Sequence, residues 1–97
     1  MKLSDLCEIK YNLQDADFYL IAKGSEKQVG KPILQDDNID NKIGIKVIAK
    51  DIIDPKYLYY LFDHLHQTEF WINNGLIYGS LNLKNIRLED VKNIKFK

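Results

Sequence analysis

The chain has 97 residues, 45% hydrophobic and 29% charged, which fits one globular domain with one modest core and excludes a disordered composition. Its 14 basic and 14 acidic side chains cancel, so a uniformly basic nucleic-acid coat and an acidic DNA mimic are both excluded, though a local patch is not. The single cysteine, Cys7, rules out a disulfide framework and a multi-cysteine zinc site. Residues 1–5 turn polar at once, so no signal peptide is expected. The longest aromatic–aliphatic run, 57–62, is far below the ~20 residues that span a bilayer. A cytoplasmic domain covering 1–97, without membrane contact, is the expectation.

Ser4 and Asp5 are helix-start residues ahead of Leu6 and Ile9, and residues 3–9 read as a short helix. Residues 10–17 read as a polar loop. Phe18-Tyr19-Leu20-Ile21-Ala22 reads as a strand that ends in a turn at Gly24-Ser25. Residues 28–34 read as a second strand, at an edge or broken at Pro32, which has no N–H for a ladder. After a polar loop over 35–41, Ile43, Ile45, Val47 and Ala49 alternate with lysines, Gly44 and Ile48 as in a strand with one apolar face. Asp54 and Pro55 then open the main helix, whose apolar residues Tyr57, Leu58, Leu61, Phe62 and Leu65 fall at helical spacing. Asn73-Asn74-Gly75 stops it, with a kink expected near Thr68. Leu81 and Leu83 mark a further strand.

Residues 2–11 align without gaps on residues 87–96, with Leu, Asp, Ile and Lys identical at matching positions. Two copies are too few for a solenoid. The alternative reading is two similar ways of covering the ends of one core. The fold expected is α+β: a small, twisted, mixed sheet packed on one helix at about 54–73, with short helical turns at both ends. Tyr57, Leu58, Leu61, Phe62, Leu65 and Ile72 should face Ile43, Ile45, Val47, Leu81 and Leu83.

Few residues carry catalytic or metal-binding patterns. His64 and His66 lie about 200° apart on a helix, so they do not share a face for a metal. Cys7 on an apolar face reads as a small core residue rather than a nucleophile. Asp36, Asp37 and Asp40 lack the oxygen spacing of a calcium loop. The glycines form no phosphate loop. No cofactor, no metal and no enzymatic activity are expected.

Two polar segments are more informative. Residues 23–31 offer Lys23, Ser25, Lys27, Gln28 and Lys31, and residues 78–85 offer Ser80, Asn82, Lys84 and Asn85. Lysine and serine are phosphate-contacting types, while Gln and Asn have the forked carboxamides that read base edges. The stretch 84–97 has five basic and two acidic residues, whereas 51–69 sets four acids against Lys56. A solvated surface accounts for any one of these clusters equally well.

The order of segments resembles a known family. Lys2-Leu3-Ser4-Asp5-Leu6-Cys7-Glu8-Ile9 is similar to the Lys-Leu-Gly-Asp-hydrophobic-x-x-Ile opening of target recognition domains. These domains belong to the specificity subunits of Type I restriction–modification enzymes. Val29-Gly30-Lys31-Pro32 looks like their mid-domain strand, and Asp54-Pro55-Lys56-Tyr57-Leu58 like their Asp-Pro-x-Tyr-Leu helix start. Residues 75–84, with Ile86 and 88–94, look like their closing strand region. Each motif is short, and the order carries the likeness.

The resemblance implies a non-enzymatic DNA-recognition module. Lys23, Ser25, Lys27, Lys31, Ser80 and Lys84 would contact phosphate, and Gln28, Asn82 and Asn85 would read bases. Family domains are longer, the difference falling between Ile9 and Phe18, and a long spacer helix follows each of them. The chain therefore reads as a shortened form. The alternative is a protein-interaction module of the same fold, a phage or mobile-element product that binds a restriction or other defence complex without reading DNA. Tyr59, Tyr60 and Trp71 would supply its interface, and a homodimer would serve either reading.

Overall fold

The computed structural model describes residues 1–34, 38, 40–80 and 83–96. The expected loop over 35–41, with Asp36 and Asp37, lies partly outside these residues, and Leu81, Asn82 and Lys97 lie wholly outside them. The order of elements is a 3₁₀ turn at Leu3–Asp5, β1 (Cys7–Tyr11), β2 (Phe18–Ile21), β3 (Lys23–Gly24), β4 (Pro32–Ile33), β5 (Lys42–Val47), α1 (Pro55–Gln67), α2 (Phe70–Asn73), β6 (Tyr78–Ser80), β7 (Leu83–Asn85) and α3 (Leu88–Lys92).

The α+β class holds, with helical turns at both ends and one main helix. The strands divide between two sheets, of order β1-β5-β2-β4 and β3-β7-β6, and their ladders are antiparallel. Ala22 is where the chain passes from one sheet to the other. Its N–H bonds the Asn41 carbonyl on the side of the first sheet, and its own carbonyl accepts from Ile86 on the side of the second. A strand divided in this way satisfies its backbone groups in both directions. β4 is an edge strand, as Pro32 requires.

Residues 3–9 are not a helix. The 3₁₀ turn is closed by the Lys2 N–H on Asp5 Oδ2 at 2.8 Å, and the chain then extends into β1. Cys7 and Ile9 alternate inward there with period two. The 10–17 loop is not wholly polar, because Leu13 is buried over Gly44. A Cβ at Gly44 would lie 2.6 Å from Leu13 Cβ, so glycine in β5 lets this connection pack down. Ile43, Ile45 and Val47 point into the core, and Ile48, the apolar exception in the alternation, is exposed.

α1 starts as the sequence predicts: Asp54 Oδ1 accepts the Lys56 N–H at 2.9 Å, ahead of Pro55. The expected kink is a break. Thr68 Oγ1 bonds the His64 carbonyl, Glu69 takes φ 60°, and α2 follows in a new direction. Leu58 and Phe62 are fully buried, with Tyr59, Leu61 and Leu65 packed beside them. Tyr57 is 60% exposed, because it lies about 100° from Leu58 and off the stripe. Ile72 and Leu83, both expected inside, are also exposed. Phe62 ties the layers together, 5.8 Å from the Phe18 ring and stacked at 6.4 Å on Trp71.

The two similar end segments pack against each other. Lys2 pairs with Lys95, the Leu3 N–H bonds the Ile94 carbonyl, and the Phe96 N–H bonds the Met1 carbonyl. Leu3, Leu6 and Val91 are buried at this seam.

Burial pushes the Cys7 thiol up from 9.0 to about 11, and the Asp17 carboxylate adds to the shift. A raised thiol pKa favours the neutral folded state, so its contribution is full below about pH 9 and lost as pH rises through about 11. Denaturation midpoints taken across this window should fall more steeply in the parent chain than in Cys7→Ala. Parallel curves would show that the thiol is not protected.

Candidate nucleic-acid interface

Parts of the two polar segments, residues 23–24 and residues 78–80 and 83–85, pair in the three-stranded sheet. In its register Lys23 lies opposite Asn85 and Gly24 opposite Lys84. On the other side of β7, Tyr78 lies opposite Asn85, Gly79 opposite Lys84 and Ser80 opposite Leu83. Lys84 thus stands between two glycines, with no cross-strand side chain beside it on either flank. The Arg87 guanidinium lies 3.7 Å over the Tyr78 ring, a cation–π contact that holds Tyr78 at the edge of the sheet.

β3 runs into a turn that carries the other candidates. The Gln28 and Val29 N–H groups both bond the Ser25 carbonyl, and the Gly30 N–H bonds the Ile21 carbonyl at 2.8 Å. Lys23, Ser25, Lys27, Gln28, Lys31 and Ser80 are exposed, and Lys84 and Asn85 are half-buried. Among the described residues none of the four lysines is held in an ion pair. Gln28 is partly committed elsewhere: its Oε1 accepts the Ser25 N–H at 3.2 Å, which leaves the NH2 group as its remaining side-chain donor. Asn82, the remaining expected base reader, falls outside the described residues.

His66 lies half-exposed in the last turn of α1. Its Nε2–H donates to the Lys27 carbonyl at 2.7 Å, tying the apex of the turn to the end of α1. Gly30 packs on the Trp71 indole from above. Tyr11, Asn12 and Asn41 form the other addition, sharing an open hollow with Lys23. No local pattern marks these residues, because antiparallel pairing and not sequence spacing brings them together.

The three expected interface aromatics separate. Tyr60 is 58% exposed and Tyr59 is half-buried against Phe18. Trp71 is 1% exposed, so its ring belongs to the core and not to a surface. The reason is the left-handed Glu69, which turns α2 so that Trp71 stacks on Phe62. Among the described residues no three His, Cys, Asp or Glu side chains are grouped to hold a metal ion. None of their helices is long and apolar enough to cross a membrane.

No protein-family model matches the sequence, and no curated protein matches it. Among solved structures, the fold is similar to a Type-I restriction-modification system S subunit from M. genitalium, with a TM-score of 0.68 and 16% identity. The likeness covers 97% of this chain and 32% of that subunit, so the chain spans about a third of its length. It establishes a fold shared with part of a restriction–modification S subunit.

Proposed function

We propose that the chain is a non-enzymatic DNA-recognition module of the target-recognition type, working beside restriction–modification subunits. One observation carries the reading: residues 23–24, 78–80 and 83–85, far apart in sequence, pair in one small sheet that sets Lys23, Asn85 and Tyr78 in one cross-strand row, with the turn carrying Lys27 following directly from it, and among the described residues Lys23, Lys27, Lys31 and Lys84 are free of ion pairs. The fold shared with an S subunit supports it. In this reading Lys23, Lys27, Lys31 and Lys84, with Ser25 and Ser80, engage phosphates, and Asn85 and the Gln28 NH2 group read bases. The module positions a complex on DNA and does no chemistry itself.

Fluorescence anisotropy on a mixed-sequence duplex tests this. Four phosphate contacts predict a salt slope near −4, so affinity should fall about a hundredfold between ~50 and ~200 mM salt. A slope near zero would overturn the reading. The second reading, a protein-interaction module for restriction or other defence subunits, draws on the exposed Tyr57, Tyr60, Ile52 and Met1 around the start of α1. An absence of duplex binding at tens of micromolar, with capture of such a subunit, would favour it.

A further inference from the structure

The first sheet gathers three distant parts of the chain at one end. They are the end of β1, the start of β5 and the crossing from β2 to β3. Two backbone bonds fix them: the Asn12 N–H on the Lys42 carbonyl at 3.3 Å, and the Ala22 N–H on the Asn41 carbonyl at 3.0 Å. Tyr11, Asn12, Lys23 and Asn41 surround an open hollow of about 340 Å³ there. All four are exposed, Tyr11 by 40%.

The chemistry of this hollow is specific. Asn12 and Asn41 take φ 56° and 60°, a left-handed conformation that asparagine tolerates better than most residues. Asparagines in such turns commonly bond their own backbone. Here neither carboxamide, nor the Lys23 ammonium, has a hydrogen-bond or ion-pair partner among the described residues. Two forked donor–acceptor groups, an ammonium and an aromatic ring therefore face one space, each on backbone held by the sheet.

We infer that this hollow is an adenine-reading subsite for duplex DNA. The inference rests on the DNA-binding reading and deepens it. In the major groove adenine presents the N6 amino donor beside the N7 acceptor, the pattern that one carboxamide complements with its oxygen and NH2 group. Guanine presents two acceptors there, and a carboxamide oxygen would be set against one of them. The Tyr11 ring supplies an apolar surface for the thymine methyl of the same pair. Lys23 joins the subsite to the rest of the interface, since it lies opposite Asn85 in the second sheet. Its ammonium serves the flanking phosphate.

The test uses the full chain and duplexes with a randomised central segment, sequencing the bound pool and titrating the enriched sequence. The variants are Asn12→Gly and Asn41→Gly, separately and together, because glycine keeps the left-handed backbone while removing the carboxamide. The parent should enrich adenine at one or two fixed positions. The double variant should lose that preference by about tenfold, with its salt slope and melting temperature unchanged. Retention of the same adenine positions by the double variant would overturn the subsite and leave the DNA-binding reading standing. So would a parent motif without a fixed adenine. Binding of no duplex by the parent would overturn the reading and the subsite together.

Discussion

Gly30→Ala should lower the unfolding free energy by about 2–5 kcal/mol, the sum of a left-handed backbone penalty and an overpacked contact. Gly30 takes φ +86°, and a Cβ there would lie 2.4 Å from both Cδ1 and Nε1 of Trp71. The indole cannot retreat easily, because it is stacked on Phe62 and packed edge-on against Phe70. Its Nε1 is buried without a hydrogen-bond partner among the described residues, so packing and not a polar contact holds the ring there. Gly75→Ala is the natural control. Gly75 takes φ +65°, yet nothing lies within 4 Å of its Cβ position, so its cost is the backbone penalty of about 1–2 kcal/mol alone. Trp71 is the only tryptophan in the chain, and its fluorescence reports both denaturation curves directly. Equal losses in the two variants would mean that the Trp71 ring shifts aside at little cost.

This result bears on function because the turn over Gly30 also carries Lys27 and Lys31. A chain of this size holds a folded state of about 5–15 kcal/mol at most. A loss of the size expected for Gly30→Ala is therefore a large share of the total, and the turn seats against Trp71 only with glycine at this position. His66 acts at the apex of the same turn, through the Lys27 carbonyl. The break at Thr68–Glu69 is what allows both contacts, since it places His66 before the bend and Trp71 after it.

The strongest local signals in the sequence correspond to real elements. Ile43, Ile45 and Val47 alternate cleanly and do form the inner face of a central strand, and Asp54-Pro55 does start the helix. Residues 3–9 mislead because Ser4 and Asp5 signal a helix start that lasts only one turn, after which Cys7 and Ile9 follow strand period. Tyr57 misleads because apolar spacing alone places it beside the stripe, and only the phase set by Leu58, Phe62 and Leu65 exposes it. Trp71 misleads because no propensity signals that Glu69 will adopt a left-handed conformation and turn the ring inward.

The candidate interface was legible as composition and not as geometry. The lysines and carboxamides of 23–31 and 78–85 stand out in the chain, but the placement of Lys23 opposite Asn85 depends on β3 leaving the first sheet at Ala22 to pair with β7. That choice is made by backbone hydrogen bonds, which any residue can form. The same holds for Asn12 and Asn41: each looks like an ordinary turn residue until the pairing of β1 with β5 sets them side by side.

Reversing Lys27 and Lys84 together to glutamate should abolish duplex binding at ~50 mM salt while leaving the fold intact. Each lysine that meets a phosphate contributes about one unit to the salt slope, so the double variant should lose about two units and gain repulsion at two points. Neither side chain makes an ion pair among the described residues, so no internal partner is stranded by the change. Lys84 stands between Gly24 and Gly79 in register, where glutamate meets no side chain on either flank. The comparison that decides the matter is Lys50→Glu with Lys56→Glu, two exposed lysines outside the proposed interface that lower the net charge by the same amount. If binding is local to the small sheet, this control keeps most of its affinity and its slope. If both doubles weaken binding alike, the attraction is a property of the whole charge distribution, and the convergence of the two segments is not what the duplex reads.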